Sequence, residues 1–237
     1  MFKIPDGFLD LSPEKAEVFY FIKQKLKDIF TIFGFSPIIT SSVEYIETFK
    51  LSGEKEDFFF NYIDPYDGKP ACFRYDFTPQ IARFIKNRDL SKTYKIYYDG
   101  SVLRNEKVLK GRMREIFQAG VELINFSGME GDIYLVILIK KIIDELKLKE
   151  SKIFLNDVNI FNNLIKGLED ETYKNLKSNL INRDIEQIKS IISNTALDKK
   201  RKDFLINLPF FCGDIKLIDE LQNKYDFPEI RDCWDNL

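Results

Sequence analysis

Two runs that alternate at period two and face each other across a polar loop constrain this chain more than any other feature. In "REIFQAGVELI", Phe117, Ala119, Val121 and Leu123 fall on one side, while Arg114, Gln118 and Glu122 fall on the other, with a gap at Gly120. Successive side chains of a strand point to opposite faces, so this pattern demands a strand with one face against a core. The preceding run, Tyr94–Arg104, behaves alike: Arg104 shares a face with Val102, Gly100 and Tyr98. The segment between them, "NEKVLKGRM", is polar and unpatterned, so the two runs are expected to form an antiparallel hairpin.

The flanking segments set the fold class. Ser12-Pro13 opens a helix in which Phe19, Ile22, Leu26, Ile29 and Phe33 recur at helical spacing before Gly34 closes it. Short strand-like pieces follow around Ile38–Glu44, in "DFFFNYID" at Asp57–Asp64 and in "ACFRYDF" at Ala71–Phe77. "TPQIARFIK" reads as a short helix with Thr78 as N-cap and Pro79 at its first position. A longer helix is expected from Gly131 to about Leu148, with Leu135, Leu138, Ile142 and Leu146 in one stripe. "KIFLND" at Lys152–Asp157 reads as one more strand, and short amphipathic helices follow. The expectation is an α+β fold: an antiparallel sheet core over 1–157 and a helical region over 158–237.

The polar faces carry the chemistry. In "ACFRYDF", Cys72, Arg74 and Asp76 lie opposite Ala71, Phe73, Tyr75 and Phe77. If the three strands are neighbours, one side of the sheet carries Arg74, Asp76, Arg104, Arg114, Gln118 and Glu122, with room left at Gly100 and Gly120. Cross-strand ion pairs worth about 0.2–1 kcal/mol explain such a face on one strand. The same segregation on three strands points to a pocket. Carboxylates there suit an ammonium or imidazole group, arginines a carboxylate or phosphate, at roughly 1.5–3 kcal/mol per charge-assisted bond.

Other chemistries are excluded. The chain has no histidine, so histidine bases and triads are impossible. Its three cysteines, Cys72, Cys212 and Cys233, have no ligand spacing, and no metal or cofactor is expected. A net charge of −2 argues against a nucleic-acid partner. No glycine-rich phosphate loop occurs. The start "MFKIPDGFLD" is not a secretory signal, and the longest apolar run, "IYLVILI", is too short to span a bilayer, so a soluble cytoplasmic protein is expected. "KKRK" at Lys199–Lys202 reads as a solvated helix face, Phe58–Phe60 as strand core, and Trp234 as packing for a final helix.

The hairpin "YYDGSVLRNEKVLKGRMREIFQAGVELI" resembles motif 2 of class II aminoacyl-tRNA synthetases in its histidyl version. "FRYDFTPQIAR", "PDGFLDLSPEKA" and "LPFFCGDIKLIDEL" resemble the synthetase-like regulatory subunits of ATP phosphoribosyltransferase, paralogues of histidyl-tRNA synthetase. The resemblance is densest from Pro5 to Leu155. It implies that Glu44 holds an amino-acid ammonium and that Gln118 and Glu122 line a histidine pocket. It sets Arg74 at the pocket and, with Arg83, toward phosphate groups. Arg104 matches the motif 2 arginine, and Arg112 and Arg114 stand near where ATP lies. Ile46 replaces a threonine beside the pocket glutamate, removing a donor.

No "GGRYD"-like motif 3 and no "YYTG"-like segment occurs before Leu237. The resemblance therefore implies a site that holds a ligand without activating it, in a chain either naturally short or a fragment. The leading expectation is a non-catalytic regulatory subunit. It would form a homodimer within a hetero-oligomer with the short-form catalytic subunit and respond to histidine as an effector. A truncated adenylate-forming enzyme and a ligand-free scaffold are the alternatives.

Overall fold

The expected hairpin forms, and the rest of its unit is layered on it. In the computed structural model, residues 3–50, 56–108, 111–126, 128–235 and 237 are described. The chain divides into two compact units, Met1–Ser151 and Lys152–Leu237. In the first, β5 (Tyr94–Leu103) and β6 (Glu115–Ile124) pair antiparallel over their whole lengths, with Tyr98 opposite Gly120 and Gly100 opposite Gln118. The two-residue β1 (Ser36–Pro37) adds to the other edge of β5 in parallel, giving the order β1-β5-β6.

Helices cover both faces of this sheet. The apolar side, with Tyr97, Ala119 and Val121, packs on Ile29 and Phe30 of α1 (Pro13–Ile32) and Leu138 of α4 (Met129–Glu145). Each such large apolar side chain contributes roughly 1.5–3 kcal/mol when fully buried. Gly34 takes φ +77°, a left-handed conformation that lets the chain turn off α1 into β1. The opposite side is only partly polar. Ile96, Tyr98 and Val102 meet Ile81 and Ile85 of α3 (Thr78–Lys86), with Phe77 just before it.

A second three-stranded sheet corrects the expectation of one continuous polar face. β2 (Val43–Tyr45) and β3 (Asn61–Ile63) flank β4 (Pro70–Phe73) antiparallel. α2 (Ile46–Lys50) closes over them, and Ile46, Phe49, Phe59, Cys72 and Tyr75 form their core. β4 therefore does not pair with the hairpin. The alternation expected through Phe77 also fails: Ala71 and Cys72 are both buried while Phe73 is exposed. The strand stops because Arg74 turns away, its N–H donating to Ser42 and its carbonyl accepting from Leu103.

Two other strand expectations shrink, and one disappears. Ile38–Glu44 yields only the start of β2, and Asp57–Asp64 yields a 3-10 turn at Glu56–Phe58 followed by β3. Lys152–Asp157 is irregular, with Ile153, Phe154 and Leu155 all exposed; apolar residues without a neighbouring ladder do not make a strand. The second unit is helical: α5 (Val158–Leu164), α6 (Asp170–Asn182), α7 (Ile185–Ser193), α8 (Lys199–Asn207), α9 (Ile215–Lys224) and α10 (Arg231–Asp235). Asp157, Asp184, Asp198 and Asp214 each cap the following helix through a side-chain oxygen. Trp234 is buried against Phe204. In "KKRK", Arg201 pairs with Asp198 and Glu229. Among the described residues no helix is long and apolar enough to cross a membrane.

Candidate functional site

The space left by the two glycines is filled from within. A Cβ on Gly100 would stand 2.9 Å from Arg74 Nη2 and 3.1 Å from Phe77 Cζ, and one on Gly120 would stand 2.5 Å from Tyr98 Oη. Arg74 lies over the Phe77 ring at 3.9 Å, and Phe77 stacks on Tyr98 at 4.3 Å. Arg74 is 7% exposed and donates to the carbonyls of Ser101 (2.9 Å), Thr40 and Ser41 (both 3.3 Å). Its burial draws the guanidinium pKa down from the ordinary value. The hollow expected above the glycines is thus a packed Arg–Phe–Tyr stack, and Arg74 ties three chain segments together.

Beyond that stack the same face stays polar. Thr78 Oγ1 donates to Glu122 Oε1 at 2.6 Å, and the Thr78 N–H donates to Asp76 Oδ1 at 3.2 Å. Gln118 Nε2 reaches Tyr98 Oη at 3.3 Å, while Gln118 Oε1 is buried without a partner among the described residues. Burial raises the Glu122 pKa, the Thr78 hydrogen bond opposes this, and the nearby Asp76 charge raises it further. No cation is found paired with Asp76 or Glu122 among the described residues. Two half-buried carboxyl groups, an amide and a hydroxyl without a counter-cation make a site suited to an ammonium or imidazolium group.

Glu44 and Arg83, expected to face an ammonium and a phosphate, are each other's partners. Arg83 Nη2 lies 2.8 Å and Nε 3.0 Å from Glu44 Oε2. Gln80, fully buried, donates to the Ser41 carbonyl (2.9 Å) and Glu44 (3.2 Å) and accepts from Thr40 Oγ1 (2.8 Å). Ile46 turns into the core of the second sheet rather than toward these groups. Burial pushes the Cys72 thiol up to about 11, with Glu44 adding to the rise, so it is an inert core residue.

The remaining arginines do not converge with this site. Arg104 Nε donates to the Tyr75 carbonyl at 3.2 Å. Arg112, largely exposed, pairs with Glu106 at 3.0 Å. Arg114 donates to Asn105 Oδ1 at 2.6 Å and lies over the Phe60 ring at 4.3 Å. Its Nε is buried without a partner among the described residues. Gln80, Thr78 and Phe77 were not expected at the site from sequence. The pattern that held them, "FTPQ", signals only a helix start, and their roles depend on where that helix lands. A hollow of about 850 Å³ lies in the helical unit, lined largely by apolar residues such as Ile153, Leu180 and Leu217. Two of its carboxylates, Asp157 and Asp214, are taken up in capping helices, so the sheet face is the stronger site. No group of residues able to hold a metal ion occurs among the described residues.

The sequence profile of the histidyl-tRNA synthetase family matches residues 7–237. A Geobacter sulfurreducens protein named ATP phosphoribosyltransferase regulatory subunit is 32% identical, covering 99% of this chain and 55% of its own length. A protein of the same name from Thermoanaerobacter pseudethanolicus is 27% identical, covering 100% of this chain and 63% of its own. The chain thus spans less than two thirds of these relatives. A solved Bacillus halodurans structure, titled ATP phosphoribosyltransferase regulatory subunit/histidyl-tRNA synthetase, superposes with a TM-score of 0.84 at 22% identity, over 100% of this chain and 62% of that one. A histidyl-tRNA synthetase from a Nostoc species gives 0.75 at 16% identity, over 100% and 57%. At such identities the likeness speaks to the fold, which is that of a class II synthetase. The profile match over nearly every residue and the hairpin with its "QAGVE" strand lead to one conclusion: the chain belongs to the histidyl-tRNA synthetase family.

Proposed function

We propose that this chain is a regulatory, non-catalytic subunit of ATP phosphoribosyltransferase, acting in the cytoplasm with a short-form catalytic subunit in the first step of histidine biosynthesis. The observation that carries the reading is the Asp76–Gln118–Glu122 cluster. Among the described residues its carboxyl groups lack a counter-cation and its buried amide oxygen lacks a donor, which suits the ammonium or imidazolium group of a small amino acid. The names of the relatives support the same assignment. Histidine held there biases the assembly only by as much as it binds one arrangement more tightly than another. The adenylate-forming alternative needs free cations for a triphosphate, and the pairing of Arg83 with Glu44 and Arg112 with Glu106 weighs against it.

The test is reconstitution. A short-form catalytic subunit is assayed for phosphoribosyl transfer to ATP with increasing amounts of this chain, with and without histidine. Activity that rises with the added chain and changes with histidine supports the proposal. Activity unaffected by the chain, or pyrophosphate exchange by the chain alone with ATP and histidine, overturns it.

A further inference from the structure

The face of the β2-β4-β3 sheet turned away from α2 carries aromatic rings. The register sets Val43 opposite Phe73, with Tyr45 and Tyr62 on either side of Ala71. Residues opposite one another or two apart share a face, so Val43, Tyr45, Tyr62 and Phe73 stand together. Glu44, Cys72 and Asn61 point the other way, where Cys72 joins the core with Ile46 and Phe49. Past Ile63 the ladder continues: the Asp64 N–H donates to the Lys69 carbonyl at 2.9 Å, which keeps both residues on the aromatic face. Ala71 is buried, but Tyr45 and Phe73 are each 41% exposed. A single exposed aromatic is ordinary; a group of them on adjoining strands marks a contact surface.

The Tyr45 end of this face is filled by the chain's own cation. Lys69 Nζ lies over the Tyr45 ring at 5.1 Å and 3.3 Å from Asp67 Oδ2, which also accepts from the Tyr45 hydroxyl at 2.6 Å. The Tyr62 end repeats the ring and the carboxylate without the cation. Tyr62 and Phe73 lie 5.8 Å apart between ring centroids. Asp64 Oδ1 accepts from the Tyr66 N–H at 2.8 Å, and no cation pairs with Asp64 among the described residues. Burial, and then the Asp64 charge, raise the Tyr62 pKa, so the carboxylate acts on that ring.

We infer that the row Phe73, Tyr62, Asp64 binds an arginine from an extended segment of a partner protein. Phe73 stands diagonal to Tyr62 across the β3-β4 pair, and Asp64 lies two residues beyond Tyr62 on the other side. An arginine laid along this row sets its apolar stem on Phe73, its planar guanidinium on the Tyr62 ring and its N–H groups at the Asp64 carboxylate. A guanidinium stacks on rings and bonds carboxylates through its fork, whereas an ammonium is a compact, strongly hydrated point charge. Alternate side chains of an extended peptide lie about 6.4–6.8 Å apart, so a residue two from the arginine reaches Val43, beside Phe73. That neighbour calls for an apolar side chain. Charge selects against stacked bases, because Asp64 and Asp67 repel the phosphates that accompany them. The row shares no residue with the Asp76–Gln118–Glu122 cluster, and the inference stands apart from the regulatory reading.

The test uses the full chain and a library of nine-residue peptides with arginine fixed at the centre and the other positions varied. Peptides with an apolar residue two positions from the arginine are expected to be enriched. For the tightest of them, anisotropy of the labelled peptide is expected to show saturable binding. Replacing its arginine by citrulline, which keeps the shape and removes the charge, is expected to weaken binding at least tenfold. Asp64→Asn and Phe73→Ser in the protein are each expected to do the same, while Tyr62→Phe, which keeps the ring, is expected to bind as wild type does. Should Phe73→Ser fail to fold, the citrulline and Asp64→Asn comparisons still decide. No enrichment, or binding indifferent to citrulline and to Asp64→Asn, overturns the inference. So does binding of octauridylate, or self-association of the chain, that is lost in Phe73→Ser, since either gives the face to a different occupant.

Discussion

Gly120→Ala is the sharpest probe of how the sheet face is built. The added methyl would sit 2.5 Å from Tyr98 Oη and 2.7 Å from Cζ, so the phenol must move. Tyr98 is buried and stacked on Phe77 at 4.3 Å, leaving little space to move into. Overpacking of this kind costs about 1–3 kcal/mol, and disturbing the ring stack adds about 0.5–1.5. Against this, replacing glycine by alanine within a strand returns about 0.5–1 kcal/mol. The clash wins, and a net loss of roughly 1–3 kcal/mol is expected. The sole tryptophan, Trp234, lies in the helical unit, so its fluorescence does not report on this sheet. Hydrogen exchange of the β5 and β6 amides does. In a Tyr98→Ala background the same substitution should become neutral or slightly stabilising. An equal loss of protection in both backgrounds would refute the packing argument.

Arg74→Met keeps the stem but leaves the carbonyls of Ser101, Thr40 and Ser41 without their buried donor, and is expected to destabilise by roughly 2–5 kcal/mol in urea denaturation. Glu122→Gln tests the carboxyl directly. Its folded pKa is raised, so the folded state binds more protons than the unfolded one across that window, and wild-type stability falls as pH rises through it. The variant should therefore be more stable than wild type at pH 7 and lose that advantage near pH 4, as measured by denaturation at both values. Arg83→Ala leaves Glu44, whose side chain is only 10% exposed, without its cation and should cost about 1–3 kcal/mol. Gln80→Leu, which removes the buried amide that bonds Thr40, Ser41 and Glu44, should cost about 1–3 kcal/mol.

The hairpin was legible because period-two alternation over ten residues has no competing reading, and its apolar side packs on α1 and α4 as the pattern requires. The open pocket was not. A glycine in a strand signals close approach but not by what, and here the approaching groups are Arg74 and Tyr98 of the chain itself. "ACFRYDF" alternates as a strand does, yet only its first half pairs, because tertiary bonds from Ser42 and Leu103 capture Arg74. Carboxylates and arginines likewise looked alike in sequence whether free or paired. Glu44 and Arg83 proved to be partners, while Asp76 and Glu122 proved to lack a counter-cation among the described residues.

The most direct measurement is calorimetric titration of the full chain with L-histidine near neutral pH, for wild type and for Glu122→Gln. Saturable binding by wild type, weakened at least tenfold when the Glu122 charge is removed, is the expected result. No heat with wild type, or equal affinity in the two proteins, would contradict a cationic amino-acid site on this sheet face.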